Sequence, residues 1–374
     1  MTLISFLIAI LILVGFHEYG HYIVAKWCGI AVERFSIGFG PVLLRKKSNK
    51  PFATEFVLSA IPLGGYVKMI DTRTHTDITP EQKLRAFDQQ KLYKRSLVVA
   101  AGPLANFLLA WVFLFALYLS GPLQVKAVLD EPSPQSIAAS SGLVKGDEVR
   151  GFARLPLDSD GVDMNLEFTE IDSWNRLRWK LLKSILSHEG FVLQVAHSDS
   201  GDSRVVFDHQ ELQSLSIKND VFNQLGLSLV KDITDRTFHL DISTFESMQR
   251  AFERVYDISY VSVMSIQSLL TGQASLRQIS GPIGIAGMAG QSAQSGIVAY
   301  IGFLVLISIS LGIMNLLPLP MLDGGQLVFD AIELIRGKAV SMQVREISSK
   351  VGIFGILILT GIAVFNDLSR LFHG

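Results

Sequence analysis

Apolar residues in this chain come in four long blocks, at about 2–27, 96–121, 296–322 and 351–365. A helix needs roughly 20 apolar residues to cross a bilayer core, so the pattern predicts four transmembrane helices. The first block is broken only by the polar patch His17–His21. It has no basic leading region and no small-residue cleavage site, so it reads as a retained span and not as a signal peptide.

Between the blocks the pattern changes. Residues 34–70 alternate and are rich in aromatic and β-branched types, with Gly64-Gly65 as a turn or bulge, which predicts β structure. A sheet so close to two spans lies at or in the membrane, with its backbone paired or lining a protein cavity. Residues 122–230 read as a mixed α/β domain. There Ser133-Pro134 is expected to start a short helix ended by Gly142. A strand over 148–152, a helix over 173–186 and strands near 191–195 and 203–207 follow. Residues 244–270 form an amphipathic helix with Glu246, Arg250, Glu253, Arg254 and Asp257 in its first half. It suits the membrane surface, or a short fifth span.

The expected organisation is a first span over 1–27, a loop with membrane-associated sheet over 28–95 and a second span over 96–121. An α/β domain over 122–230 and an amphipathic helix with linker over 231–295 come next. A third span over 296–322, a loop over 323–350 and a fourth span over 351–368 complete it. Lys and Arg crowd the first loop (Arg45, Lys46, Lys47, Lys50, Lys94 and Arg95 among them) and the last (Arg336, Lys338, Arg345, Lys350). The positive-inside rule makes both loops cytoplasmic and puts the termini and residues 122–295 on the other face. The net charge of −1 suggests no nucleic-acid partner. The single cysteine, Cys28, excludes an intrachain disulfide.

The chemistry is concentrated in His17-Glu18-Tyr19-Gly20-His21. On a helix, residues i and i+4 share a face, so both imidazoles can hold one Zn²⁺ while Glu18 serves as general base. Two histidines and a carboxylate inside an apolar span are costly and persist mainly when they pair, bind metal or face water. A catalytic zinc site usually has a third protein ligand. Asp323 is the candidate: it closes the apolar run 311–322, which Pro318 and Pro320 break, and Gly324-Gly325 lets backbone approach closely.

These motifs, with the Phe35–Gly40 stretch, Ile61–Met69, Ala101-Gly102-Pro103-Leu104-Ala105-Asn106, Ser280–Gly284, the Asn315–Gly325 string and Phe365-Asn366-Asp367, resemble the site-2 protease family, in its bacterial regulator-of-sigma-E branch. The resemblance implies an intramembrane zinc protease of the bacterial inner membrane, acting in the lipid bilayer on single-pass transmembrane proteins. Anti-sigma factors and remnant signal peptides would be its substrates. It implies substrate-binding roles for Asn315 and Pro318, and for Gly65 and Tyr66 on a strand that pairs with unwound substrate. Residues 136–149 resemble a PDZ domain, of which the chain carries one where relatives often carry two. A membrane zinc hydrolase of another type, or a non-catalytic PDZ-bearing membrane scaffold, stay as alternatives at this point.

Overall fold

The computed structural model describes residues 2–48, 52–73, 78–155, 166–197, 201–215 and 220–373; Lys50, counted above among the loop cations, lies outside them. In chain order the main elements are α1 (Thr2–Trp27), β1 (Val32–Lys46), β2 (Glu55–Met69), α2 (Pro80–Leu84), α3 (Leu92–Leu119) and β3 (Leu123–Val125). Then come α4 (Ile137–Ser140), β4 (Glu148–Arg154), β5 (Thr169–Glu170), α5 (Trp174–Ser187), β6 (Phe191–His197), β7 (Gly201–Phe207), α6 (His209–Gln213), α7 (Val221–Leu225) and β8 (Thr237–His239). The last are α8 (Thr244–Leu270), α9 (Pro282–Gln294), α10 (Ile297–Leu316), α11 (Asp323–Arg336) and α12 (Met342–His373). Among the described residues, four helices are long and apolar enough to cross a membrane: α1, α3, α10 and α12. The chain is a membrane protein with β-sheet alongside its helices, and α8 is not among the four.

The first compact unit joins residues 1–114 to 279–374. Its core is built on α1, where Ala9 and Leu13 meet Leu109 of α3, Ala289 of α9 and Phe303 and Leu304 of α10. Below them Ala25, Ile30, Val32 and Val98 bury the turn from α1 into β1. Gly20 lets α1 and α3 approach closely, since a Cβ there would stand 2.4 Å from the Ala101 carbonyl oxygen.

The two long strands each fold over. Arg34–Ile37 pair on one side with Lys68–Gly65 and on the other, rising in step, with Glu55–Leu58. Leu44–Lys46 close the far side by pairing with Leu58–Phe56. Residues 65–69 therefore form one edge of the sheet. At the other end of the unit, α12 fastens the start of α9. The Asp367 carboxylate accepts from the backbone N–H of Gly281 at 3.0 Å and of Gly284 at 2.9 Å, and Asn366 donates to the Ile279 carbonyl at 3.2 Å. The Ser280–Gly284 and Phe365–Asp367 motifs are thus two halves of one helix cap.

The second unit, residues 115–278, holds a four-stranded antiparallel sheet in the order β5-β4-β6-β7 and a separate β3–β8 pair. Phe191 and Phe207 stack at 4.6 Å in its core, with Leu177, Leu181 and Ile185 of α5 over them. The short helix starts later than Ser133-Pro134 suggests: Gln135 sits at φ 67°, outside helical space, and Ser136 is the cap that accepts from Ala139 N–H. The charges of α8 face α5. Lys183 bonds Asp257 at 3.0 Å, Lys180 bonds Glu253 at 2.6 Å, and Arg254 donates to the Asn175 side chain at 2.7 Å. Phe245 and Phe252 of α8 are left exposed.

Candidate metal centre

Three donor atoms converge where α1 meets the start of α11. His17 Nε2 and His21 Nε2 lie 3.2 Å apart, and Asp323 Oδ2 lies 3.3 Å from the first and 3.5 Å from the second. Both imidazoles are buried. One helix supplies both rings because they sit one turn apart on a single face.

Several features hold the donors there. His21 Nδ1 lies 2.8 Å from the Val98 carbonyl of α3. A carbonyl only accepts, so Nδ1 carries the hydrogen and Nε2 presents its lone pair to the cluster. Asp323 is placed by the abrupt end of α10 at Leu316, six residues before the limit expected for the third span. Pro318 and Pro320 keep 317–322 irregular, and α11 restarts at Asp323. The restart needs small residues: a Cβ on Gly324 would stand 2.2 Å from the Leu316 carbonyl oxygen, and one on Gly325 2.2 Å from that of Leu319.

These residues fit a zinc ion. Ligands about 2.0–2.1 Å from a tetrahedral metal are about 3.3–3.4 Å from one another, and the three observed separations, 3.2, 3.3 and 3.5 Å, cluster around that edge. Gly102 of α3 makes the space. A Cβ there would stand 2.2 Å from His21 Nε2 and 2.8 Å from His17 Cε1, so any larger residue would fill the cradle.

A cleft of about 540 Å³ opens beside the donors, lined by Glu18, His21 and Asp323 together with Gly65–Met69 and Pro320. Gly65 abuts Glu18: a Cβ on it would come 2.8 Å from Glu18 Cγ. The free edge of the sheet therefore borders the cleft. Tyr66 is held by Arg34, which donates to its hydroxyl at 3.3 Å. Arg34 is held in turn by Glu55 at 2.7 Å, and Arg45 reaches the same carboxylate at 3.1 Å. The hydrogen bond from Arg34 and the two cations keep the Glu55 carboxyl below its ordinary range. Of the expected substrate-binding residues, Gly65 and Tyr66 line the cleft, whereas Asn315 and Pro318 are outside its lining. Asn315 is half-buried near the end of α10.

Sequence reasoning missed a half-buried polar cluster that seats α11. Asp323, Gln326, Asp330 and Glu333 follow one another at helical spacing and share a face. Arg95 bonds Glu333 at 2.7 Å, Ser96 donates to Asp330 at 3.0 Å, and Gln326 donates to Asp330 at 2.8 Å. The polar stripe of α11 was the available signal. Asn106, fully buried on α3, lies 3.2 Å from His17 Nδ1 through its side-chain nitrogen.

Four helices long and apolar enough to cross a membrane, and a His/His/Asp cluster whose two histidines and adjacent glutamate sit on the first of them, point to an intramembrane metallopeptidase. Comparison with known proteins makes this specific. The model of Peptidase family M50 matches residues 5–359, and the chain belongs to that family, the site-2 proteases. It is a zinc metalloendopeptidase. "Regulator of sigma E protease" of Haemophilus influenzae is 34% identical over 98% of both chains. "Protease RseP" of Yersinia pestis is 33% identical over 99% of both. The first alignment runs over 440 positions against a chain of 374 residues, so that relative carries stretches this chain lacks.

Proposed function

We propose that His17, His21 and Asp323 hold the catalytic Zn²⁺, that Glu18 is the general base, and that the enzyme cuts single-pass transmembrane helices in regulated intramembrane proteolysis. The observation that carries this reading is the convergence of two Nε2 atoms and one carboxylate oxygen at tetrahedral-edge spacing beside a cleft that also holds Glu18. When bound, zinc polarises the scissile carbonyl and makes water a better acid. Glu18 takes a proton from the attacking water and delivers it to the leaving amine. His21, tied to the Val98 carbonyl, keeps its Nε2 bare throughout.

A transmembrane helix hides its carbonyls in its own hydrogen bonds, so the substrate unwinds before cleavage. The edge strand 65–69 supplies replacement partners by β-addition and presents the extended segment to Glu18. Gly65 lets this strand lie against the general base, and Tyr66 flanks it. Asn315, whose side chain makes no hydrogen bond among the described residues, clamps exposed substrate backbone, and Pro318 keeps the segment after it from winding into helix.

The enzyme sits in the bacterial inner membrane with its His17–His21 and Asp323 segments toward the cytoplasm, following the basic loops. Its substrates are an anti-sigma factor, which suits a relative named "Regulator of sigma E protease", and remnant signal peptides, as the family resemblance implies. The PDZ-like domain over 122–230 stands on the outer face as a size filter. Deleting it should let substrates with untrimmed external domains be cleaved; continued rejection would remove the filter role. The central test is incubation of the purified protein with a panel of single-pass helices, with and without a zinc chelator. Cleavage that needs zinc and disappears in Glu18→Gln is expected. Cleavage surviving in Glu18→Gln would overturn the assignment.

A further inference from the structure

We propose that Asn106 is a positioning residue that fixes the tautomer of His17. Its side-chain oxygen accepts a hydrogen bond from His17 Nδ1–H, so that His17 Nε2 faces the metal site as a bare lone pair. The inference rests on the reading of His17 as a zinc ligand.

His17 Nε2 lies 3.2 Å from His21 Nε2 and 3.3 Å from Asp323 Oδ2. His21 Nε2 is already bare, because its Nδ1 hydrogen goes to the Val98 carbonyl. His17 has only one other ring atom that can carry its hydrogen, and that atom's neighbour is Asn106, at 3.2 Å. With the amide nitrogen on the Nδ1 side, Asn106 donates to Nδ1 and the ring hydrogen moves to Nε2, where it blocks coordination. The Asn106 oxygen is then buried without a partner. The oxygen and nitrogen of an amide have nearly the same shape, and their assignment follows from the hydrogen-bond network. Turning the amide over gives the oxygen a donor, His17 Nδ1–H, and frees Nε2 in the same step; the NH2 group then takes the partnerless position, so it is coordination through Nε2, and not the number of unpaired atoms, that selects this direction. The two histidines then have matching supports from one helix, a backbone carbonyl for His21 and a side-chain carbonyl for His17.

Asn106 also has a structural contact that the proposal does not use. Ser308 of α10 donates to its backbone carbonyl at 2.8 Å, and this bond survives any change of side chain. Side-chain variants therefore separate positioning from packing. Asn106→Ala removes the acceptor. Asn106→Asp has an acceptor oxygen on both sides, so the direction of the amide no longer matters.

The test uses the full-length protein in detergent. Zinc affinity is measured by chelator competition for the wild type, Asn106→Ala, Asn106→Asp and His17→Ala. Zinc-free protein with ¹⁵N-labelled histidine reports the tautomer of His17, assigned by the signal that His17→Ala deletes. Asn106→Ala should bind zinc about 10–100-fold more weakly, the range found for such outer partners, while Asn106→Asp stays within about threefold of wild type on the same scale. The wild-type His17 ring should carry its hydrogen on Nδ1, and Asn106→Ala should shift it toward Nε2. Wild-type affinity in Asn106→Ala would overturn the proposal, as would equal weakening in Asn106→Asp or a wild-type ring with its hydrogen on Nε2. If His17→Ala itself keeps wild-type affinity, it is the ligand assignment that fails.

Discussion

Gly102→Ala places one methyl group inside the proposed zinc cradle, and the structure gives its size and direction. The new Cβ would stand 2.2 Å from His21 Nε2, 2.5 Å from His21 Cε1 and 2.8 Å from His17 Cε1. Carbon and nitrogen atoms settle at roughly 3.5 Å or more, so the His21 ring must retreat by about 1 Å. It has little freedom to do so by turning, since its Nδ1 is held 2.8 Å from the Val98 carbonyl on the same helix as Gly102. A retreat of that size takes Nε2 out of the tetrahedral-edge spacing it now keeps with His17 and Asp323. Overpacking a well-packed interior costs about 1–3 kcal/mol, which a folded membrane protein survives. Displacing a catalytic group by 1 Å costs about 100-fold in rate. Gly102→Ala should therefore fold, lose most of its bound zinc, and cleave a transmembrane reporter about 100-fold more slowly. The assay is metal content after passage through a chelating column, read beside cleavage rate and thermal unfolding. Gly20→Ala is the contrast, because its Cβ would meet the main-chain oxygen of Ala101 at 2.4 Å and spreads the helices instead. A Gly102→Ala enzyme with full zinc and wild-type turnover would refute the cradle.

Further outcomes follow from the same geometry. Glu18→Gln should keep its zinc and lose cleavage, since it lines the cleft without belonging to the three-donor cluster; metal analysis and the reporter assay together check this. Asp323→Ala should lose both, and zinc retained at wild-type affinity would move the third ligand elsewhere. Arg95→Met leaves the half-buried Glu333 and the buried Asp330 without their cation. It should cost about 3–5 kcal/mol, seen as a lower unfolding temperature and weaker zinc binding through a loosened α11. The Glu55 carboxyl, held by Arg34 below its ordinary value of 4.5, gives stability that is complete above about that pH. That stability is lost as pH falls through the lower folded value. Glu55→Gln should flatten this acid limb of thermal unfolding, and an unchanged limb would show that the anchor of Tyr66 lies elsewhere.

The four spans were legible because length and apolarity are local properties, and α1, α3, α10 and α12 fall on the four blocks. The proposed site residues His17, Glu18 and His21 stand out in the sequence for a chemical reason: polar groups in an apolar helix need a purpose, and their spacing offers one. Other elements hid behind neighbours of similar composition. α9 has a Pro at its first turn but is mostly glycine, alanine and serine, so its sequence reads as linker. It becomes a helix because its small face packs on α1, where a Cβ on Gly290 would stand 2.5 Å from the Thr2 hydroxyl. α11 carries its signal openly in Asp323, Gln326, Asp330 and Glu333, but those residues read as loop chemistry until Arg95 and Ser96 are placed opposite them. The charges of α8 misled in another way. Five charged residues suggest a wet face, yet Arg250, Glu253, Arg254 and Asp257 spend their bonds on Asp172, Asn175, Arg176, Lys180 and Lys183, Glu246 pairs with Arg250, and it is the aromatic residues that stay exposed.

The pairings that make the site share one property: they join residues far apart in the chain through backbone atoms that have no sequence signature. His21 depends on the carbonyl of Val98, the cradle on the missing Cβ of Gly102, and the start of α11 on the carbonyls of Leu316 and Leu319. A motif search finds the groups that react but passes over the main chain that aims them. This is why Ala101-Gly102-Pro103-Leu104-Ala105-Asn106, which contains no conventional catalytic residue, has no chemical reading in the sequence beyond its part in the resemblance and becomes the back wall of the proposed metal site in the structure. Four positions on one side of α3 carry the argument: Val98 and Asn106 address the two rings, while Ala101 and Gly102 set how near the rings can come. If the rings are aimed from α3, substitutions on α3 that leave every ligand untouched should grade zinc affinity, with Gly102→Ala and Asn106→Ala weakening it and Leu104→Ala, on an exposed face of the same turn, leaving it unchanged. Equal effects from all three would mean that α3 acts only as bulk packing.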